Sequence, residues 1–175
     1  DRGGRHSRRG RLREHHSFVA LPSPGFEPRE ADPRVGFITA PFQDFSQPFD
    51  RPLERSYIER WRLTKKNPGA GTSEPVKAIV FYLDPAVPEP IRSALRRGAL
   101  WWNDAFEQAG FKNALRIEDL PEGASPMDIR YPTIQWTNRS GRGWSVGMTE
   151  IDPRTGEIIH AVVQLDSHRM RTLGN

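Results

Sequence analysis

Eight prolines, Pro22, Pro24, Pro28, Pro33, Pro41, Pro48, Pro52 and Pro68, fall between Phe18 and Pro75. Each removes a backbone donor and turns its predecessor away from helical geometry, so no long helix fits this stretch. Two short strands survive, at residues 35–39 and 56–63. In the second, Tyr57, Glu59, Trp61 and Leu63 alternate with Ile58, Arg60 and Arg62. Residues 18–75 read as an extended strap laid on a core supplied elsewhere, closed by the loop-like run 67–74.

The core has to come from residues 76–175. Residues 76–83 are β-branched and aromatic with Lys77 as the one charge, which predicts a buried strand ended by Asp84-Pro85. Pro88 and Pro90 permit a helix start. Ile91, Leu95, Gly98, Trp102, Ala105 or Phe106, and Ala109 then recur at spacings of three and four up to Gly110, a left-handed C-cap. Gly98 costs about 1 kcal/mol in a helix interior, which implies that the backbone packs closely on a sheet there. Residues 115–117 and 129–136 give further strands, with Pro132 marking an edge, a bulge or an unpartnered position in the second. Asp152-Pro153-Arg154-Thr155-Gly156 is a turn that pairs residues 148–151 with 158–165 as a hairpin. The fold class is therefore α/β (α+β): a mixed twisted sheet, one long backing helix and an antiparallel edge strand, preceded by the strap.

Charge and composition exclude several function classes. The chain has no Cys, so any metal must be held by His, Asp or Glu, and no apolar run reaches the roughly 18 residues of a membrane helix. The net charge of +4 sits in the first 14 residues, where Arg2, Arg5, Arg8, Arg9, Arg11 and Arg13 face only Asp1 and Glu14. Residues 1–17 are thus a basic arm, read as disordered or as the end of a preceding domain, with nonspecific nucleic-acid association as the rival. No aromatic residue interleaves with its arginines to stack on bases. A balanced body argues against specific nucleic-acid recognition.

Catalytic constellations are scarce. His6, His15, His16, His160 and His168 include no pair four residues apart, and His160 reads as a surface strand residue more readily than as a ligand. No Gly-x-Ser-x-Gly occurs, and neither Gly69-Ala70-Gly71 nor Gly141-Arg142-Gly143 opens a strand-to-helix phosphate loop. Asp119, Glu122 and Asp128 fit a polar rim as well as an acid/base pair. Trp102 belongs to the helix stripe, Trp101 flanks it and should be covered by the strap or an absent segment, and Trp144 either lines a cleft or pins its loop.

A resemblance supplies what spacing cannot. Ser17-Phe18-Val19-Ala20-Leu21-Pro22, Asp32-Pro33-Arg34-Val35-Gly36-Phe37, Arg60-Trp61-Arg62-Leu63 with Lys65-Lys66-Asn67-Pro68, Ser73-Glu74-Pro75-Val76 with Ile79-Val80-Phe81-Tyr82-Leu83-Asp84, Trp102-Asn103-Asp104-Ala105-Phe106-Glu107-Gln108-Ala109-Gly110-Phe111, and Asp152-Pro153-Arg154-Thr155-Gly156-Glu157-Ile158 occur in order between Glu14 and Arg171. Together they resemble the bacterial zinc-dependent metalloproteases of the metzincin-like type, large secreted or envelope proteins with β-rich N-terminal domains. The resemblance implies that residues 76–175 are the N-terminal half of a metalloprotease domain. It also implies a cofactor, zinc, held by a His-Glu-x-x-His-x-x-Gly helix that follows the segment matching residues 158–165. This chain has no such motif, so no catalytic residue or metal ligand is assigned, and by itself it is expected to bind no zinc and to be inactive.

The implied partners are a peptide or protein substrate and the remaining half of the domain. The substrate edge is placed on Ile158, Ile159, His160, Ala161, Val162 and Val163, with Trp144 as a cleft-loop candidate, because an antiparallel edge binds extended peptide through backbone hydrogen bonds. Pairing of residues 158–165 on both sides would remove that edge, and with it the protease assignment as placed on it. The rival of another class is a noncatalytic peptide-binding module using the same surface.

Overall fold

The structure, a computed structural model, describes residue 12, residues 14–140 and residues 143–173. The six arginines of the basic arm and the pair Gly141-Arg142 lie outside the described residues. The chain forms a mixed α+β fold. A two-stranded antiparallel sheet pairs β1 (Thr39–Gln43) with β2 (Glu54–Ile58), and a five-stranded sheet contains β3 (Ile79–Leu83), β4 (Leu115–Asp119), β5 (Thr133–Thr137), β6 (Val146–Asp152) and β7 (Glu157–Asp166). Its order is β4-β3-β5-β7-β6, with every neighbouring pair parallel except β6 and β7.

β3 and β4 run parallel, joined by a bent helix: α1 (Ile91–Leu100) continues through Trp101 into α2 (Trp102–Gln108). The single continuous helix expected over residues 91–109 is bent at Trp101, whose N–H reaches back to the Gly98 carbonyl at 3.3 Å, a tighter three-residue turn. The predicted C-cap is present. Gly110 has φ +86°, its N–H bonds the Glu107 carbonyl and that of Phe111 bonds the Phe106 carbonyl, closing a Schellman end. A short α3 (Ser167–Leu173) follows β7.

Register explains the core. Opposed residues share a face, so Ile79, Phe81 and Leu83 of β3 line up with Leu115 and Ile117 of β4, Ile134 of β5 and Val163 of β7. Ile79, Leu83, Leu115, Ile117 and Ile134 are buried, and Leu95, Ala99 and Phe106 of the helix pack against them together with Trp61 and Leu63 of the strap. Helix and strap thus share one face of the sheet. Each fully buried aliphatic side chain contributes roughly 1.5–3 kcal/mol. Polar bonds fix the helix at the β4 border: Asn103 Nδ2 donates to the Leu115 carbonyl at 3.0 Å while the Leu115 N–H donates to Asn103 Oδ1 at 2.9 Å.

Several expectations are corrected by this packing. The strand expected at residues 35–39 starts only at Thr39, and residues 129–132 form a turn before β5. Gly98 does not touch the sheet, since a Cβ built there meets nothing within 4 Å. Trp101 and Trp102 are both exposed, at 76% and 66%, so the strap does not cover Trp101. His160 is buried rather than a surface residue.

The largest correction concerns Ile158, Ile159, His160, Ala161, Val162 and Val163. They lie in β7, an interior strand paired antiparallel to β6 along its length and parallel to β5 from Val162 onward. The antiparallel edge of the sheet is β6. The physical signal is composition: residues 158–163 form a nearly continuous apolar run, which suits a strand with neighbours on both sides, whereas β6 mixes Gly147, Thr149 and Glu150 with Val146, Met148 and Ile151.

Candidate peptide-binding edge and adjoining cavity

The turn Asp152–Gly156 sets the hairpin that presents β6. Thr155 and Gly156 N–H groups donate to the Asp152 carbonyl at 3.1 and 2.8 Å, and Gly156 takes φ +74°. Asp152, almost wholly buried, accepts from the Arg154 N–H at 2.9 Å and pairs with its guanidinium at 2.6 Å. Those bonds hold its carboxyl below the usual carboxylate range. β6 then runs along β7 with a bulge between Glu150 and Ile151, and Gly147, Met148 and Glu150 are exposed. Its outer side has no strand neighbour among the described residues.

The strap grips the same hairpin. Arg60 bridges Glu157 in parallel register: the Arg60 N–H donates to the Gly156 carbonyl at 3.1 Å and the Ile158 N–H to the Arg60 carbonyl at 2.9 Å. Arg62 meets the buried Glu157 carboxylate in a fork, Nε to Oε1 and Nη2 to Oε2, both at 2.7 Å. The Arg60 guanidinium lies 4.0 Å from the centroid of the buried Phe26 ring and donates to the Glu27 carbonyl. Thr149 Oγ1 donates to Glu59 Oε2. Gly156 is obligatory here for a second reason, since a Cβ would stand 2.6 Å from the Ile58 carbonyl oxygen.

Below β5 the sheet contains a gap. Pairing of β3 with β5 covers only Tyr82 and Leu83, and β5 meets β7 only from Val162, so residues 79–81 and 158–161 extend past the start of β5. A cavity of about 500 Å³ occupies this place, lined among others by Trp61, Lys77, Val80, Pro132, Ile158 and Ile159. Pro132 explains the early end of β5: its carbonyl accepts from the Tyr82 N–H at 2.8 Å, but a proline offers no donor to continue the ladder. Of the predicted site residues, Ile158 and Ile159 face this cavity, Val162 and Val163 are paired in the sheet, and Ala161 is buried. His160 is also buried. Desolvation lowers its pKa, a hydrogen bond to the Ile129 carbonyl opposes that shift, and Nδ1 has no partner among the described residues.

Trp144 pins its loop. The Arg139 guanidinium stacks 4.4 Å from the Trp144 ring centroid and donates to the Trp144 carbonyl at 2.7 Å, while also pairing with the buried Asp166 at 3.0 Å. The Asp166 carboxyl is held low, first by the His168 N–H and then by Arg139. Asp119 pairs with Arg92 and Arg96, and Asp128 with Arg130, whose hydrogen bonds bring the Asp128 pKa to about 2. Asp119 and Asp128 are thus both taken up in ion pairs, as members of a polar rim would be.

Among the described residues no group of three His, Asp or Glu side chains converges. His160 and Asp166, at opposite ends of one stretch of β7, stand roughly 20 Å apart at the strand rise. No described helix is long and apolar enough to cross a membrane.

A family model described as a domain of unknown function (DUF5117) matches residues 3–66, which takes in the strap up to Lys66 and leaves the five-stranded sheet outside the match. No curated protein and no solved structure matches the chain.

Proposed function

We propose that this chain supplies the scaffold and the substrate edge of a secreted or envelope zinc-dependent metallopeptidase, whose metal ligands lie in sequence outside it. The observation that carries the reading is β6, an exposed antiparallel edge on an otherwise parallel sheet. It accompanies a first strand, a backing helix and a mixed sheet, the arrangement that the resemblance implies, with the border role moved from residues 158–163 to Val146–Glu150. An extended substrate adds itself to such an edge through main-chain hydrogen bonds, which fixes register with little demand on sequence. The zinc would supply an activated water and polarise the scissile carbonyl. This chain's own residues hold the peptide, and the strap and the Asp152–Gly156 turn hold β6 in place.

The test uses the full-length protein that contains this chain, incubated with casein. Cleavage that stops on addition of 1,10-phenanthroline and returns with zinc supports the reading. A Gly147→Pro change in β6 is expected to raise KM severalfold with kcat retained, because it disturbs edge pairing and not the reacting atoms. Absence of chelator-sensitive cleavage, or an unchanged KM in the variant, overturns it.

A further inference from the structure

We infer that the gap in the sheet between β3 and β7 is a second peptide site, which takes a three- or four-residue extended segment ending in a carboxylate. This inference stands apart from the metallopeptidase reading, since it involves the opposite side of β7 from β6.

The gap has the dimensions of one missing strand segment. β3 and β7 flank β5, so they stand two strand spacings apart, roughly 9–10 Å. The upper limit of the gap is Thr133, paired with Val162, and the lower limit is Arg60 of the strap, bridged to Glu157. Residues 158–161 span the distance between them, roughly 13 Å at the strand rise. Residues 129–132 do not continue the strand into this place: the Tyr131 N–H closes a turn on the Asp128 carbonyl at 3.0 Å, and the segment borders the space, with the Pro132 carbonyl on the Tyr82 N–H and Arg130 at the rim. Two strand borders therefore face each other across a space one strand wide, and the cavity of about 500 Å³ lies between them.

The lining sets the chemistry. Trp61, Ile79, Val80, Ile158 and Ile159 offer apolar walls to alternate side chains of an extended ligand. The charges at the cavity are Arg62, Lys77, Arg130 and Glu157. Glu157 is already taken up by Arg62, and Arg130 by Asp128. Lys77, exposed at the entry to β3, makes no ion pair among the described residues, so the rim keeps an uncompensated cation beside an apolar slot. A neutral apolar ligand would leave that charge unused, and a cationic one would oppose it. A peptide carboxylate placed at Lys77 answers both features.

The experiment is a titration of the 15N-labelled full chain with acetylated trivaline as the free acid and, in parallel, as the C-terminal amide, followed by amide resonances. The free acid is expected to shift Val80 and Ile158–Ala161, and the amide to bind about threefold more weakly, the range of a solvent-exposed ion pair. Lys77→Gln, at an exposed position that leaves the fold intact, is expected to erase the difference between acid and amide. Equal binding of acid and amide to the unmodified chain, or no shift at Val80 and Ile158–Ala161, overturns the inference. Shifts confined to Val146–Glu150 overturn it while supporting the substrate edge, and failure of chelator-sensitive cleavage in the full-length protein leaves the outcome here unaffected.

Discussion

The two junctions made on one face of the five-stranded sheet are built on different physics. Where the helix crosses, contact is apolar and incomplete. Leu95, Ala99 and Phe106 reach the sheet, yet no helix residue is fully buried, and a groove of about 410 Å³ bordered by Gly98, Trp102, Ile134, Val163 and Leu165 stays open. Where the strap crosses, Trp61 and Leu63 add apolar contact beside the cavity of about 500 Å³, but the hold on the hairpin is a polar clasp. Arg62 and Glu157 form a two-bond fork, Arg60 is seated over Phe26, and Gly156 leaves no room for a side chain. Apolar contact tolerates gaps at a cost proportional to area, whereas a buried carboxylate tolerates none, because its partner must be in place.

The comparison can be broken most sharply beneath the helix. Leu83 is wholly buried at the centre of the apolar cluster, so Leu83→Ala should lower stability by about 2–5 kcal/mol in a urea melt. If the loss is under 1 kcal/mol, the sheet is not the stability centre. At the strap, Glu157→Ala removes one side of the fork. An expected loss of about 1–3 kcal/mol should come with faster proteolytic cutting within residues 18–66, because the guanidinium of Arg62 is left half-buried without its carboxylate, keeping only backbone carbonyls such as that of Ser23. Equal cutting rates in both proteins would show that the strap is seated by other contacts.

Gly98→Ala sharpens the same contrast from the other direction. Since the added methyl meets nothing within 4 Å, only helix propensity changes, and a gain of about 0.5–1 kcal/mol is expected in the melt. Destabilisation would mean that the groove is tighter than its walls indicate.

The smallest effect concerns acid. The pKa of His160 is lowered in the folded chain, so the unfolded chain takes up the proton first. Stability is then fully present above the unfolded value near 6.5 and falls as pH drops from there toward the folded value. His160→Gln should flatten this part of the stability-pH curve, and an unchanged slope would place the acid sensitivity elsewhere.

Much of this architecture is legible in the residues, for identifiable reasons. Period and punctuation place β3, the helix, β4 and the hairpin, because burial on one face imposes spacing and because Gly110 and Gly156 need positive φ. Which hairpin strand lies outside is a question of neighbours, and turn chemistry says nothing of it. The continuous apolar run at residues 158–163 carried that information, against the mixed pattern of β6. The bend at Trp101 and the open Gly98 were not legible, since the helix stripe continues through both. The gap beside Ile159 depends on three strands ending at different heights, and local sequence shows only its trace in Pro132.

The fork between Arg62 and Glu157 joins positions 95 residues apart. At synthesis rates of roughly 5–20 residues per second, the arginine waits about 5–20 s after emerging before its acceptor exists. The first part of this chain to leave the ribosome is thus among the last to be seated, and for that interval Trp61 and Leu63 have no completed sheet against which to bury.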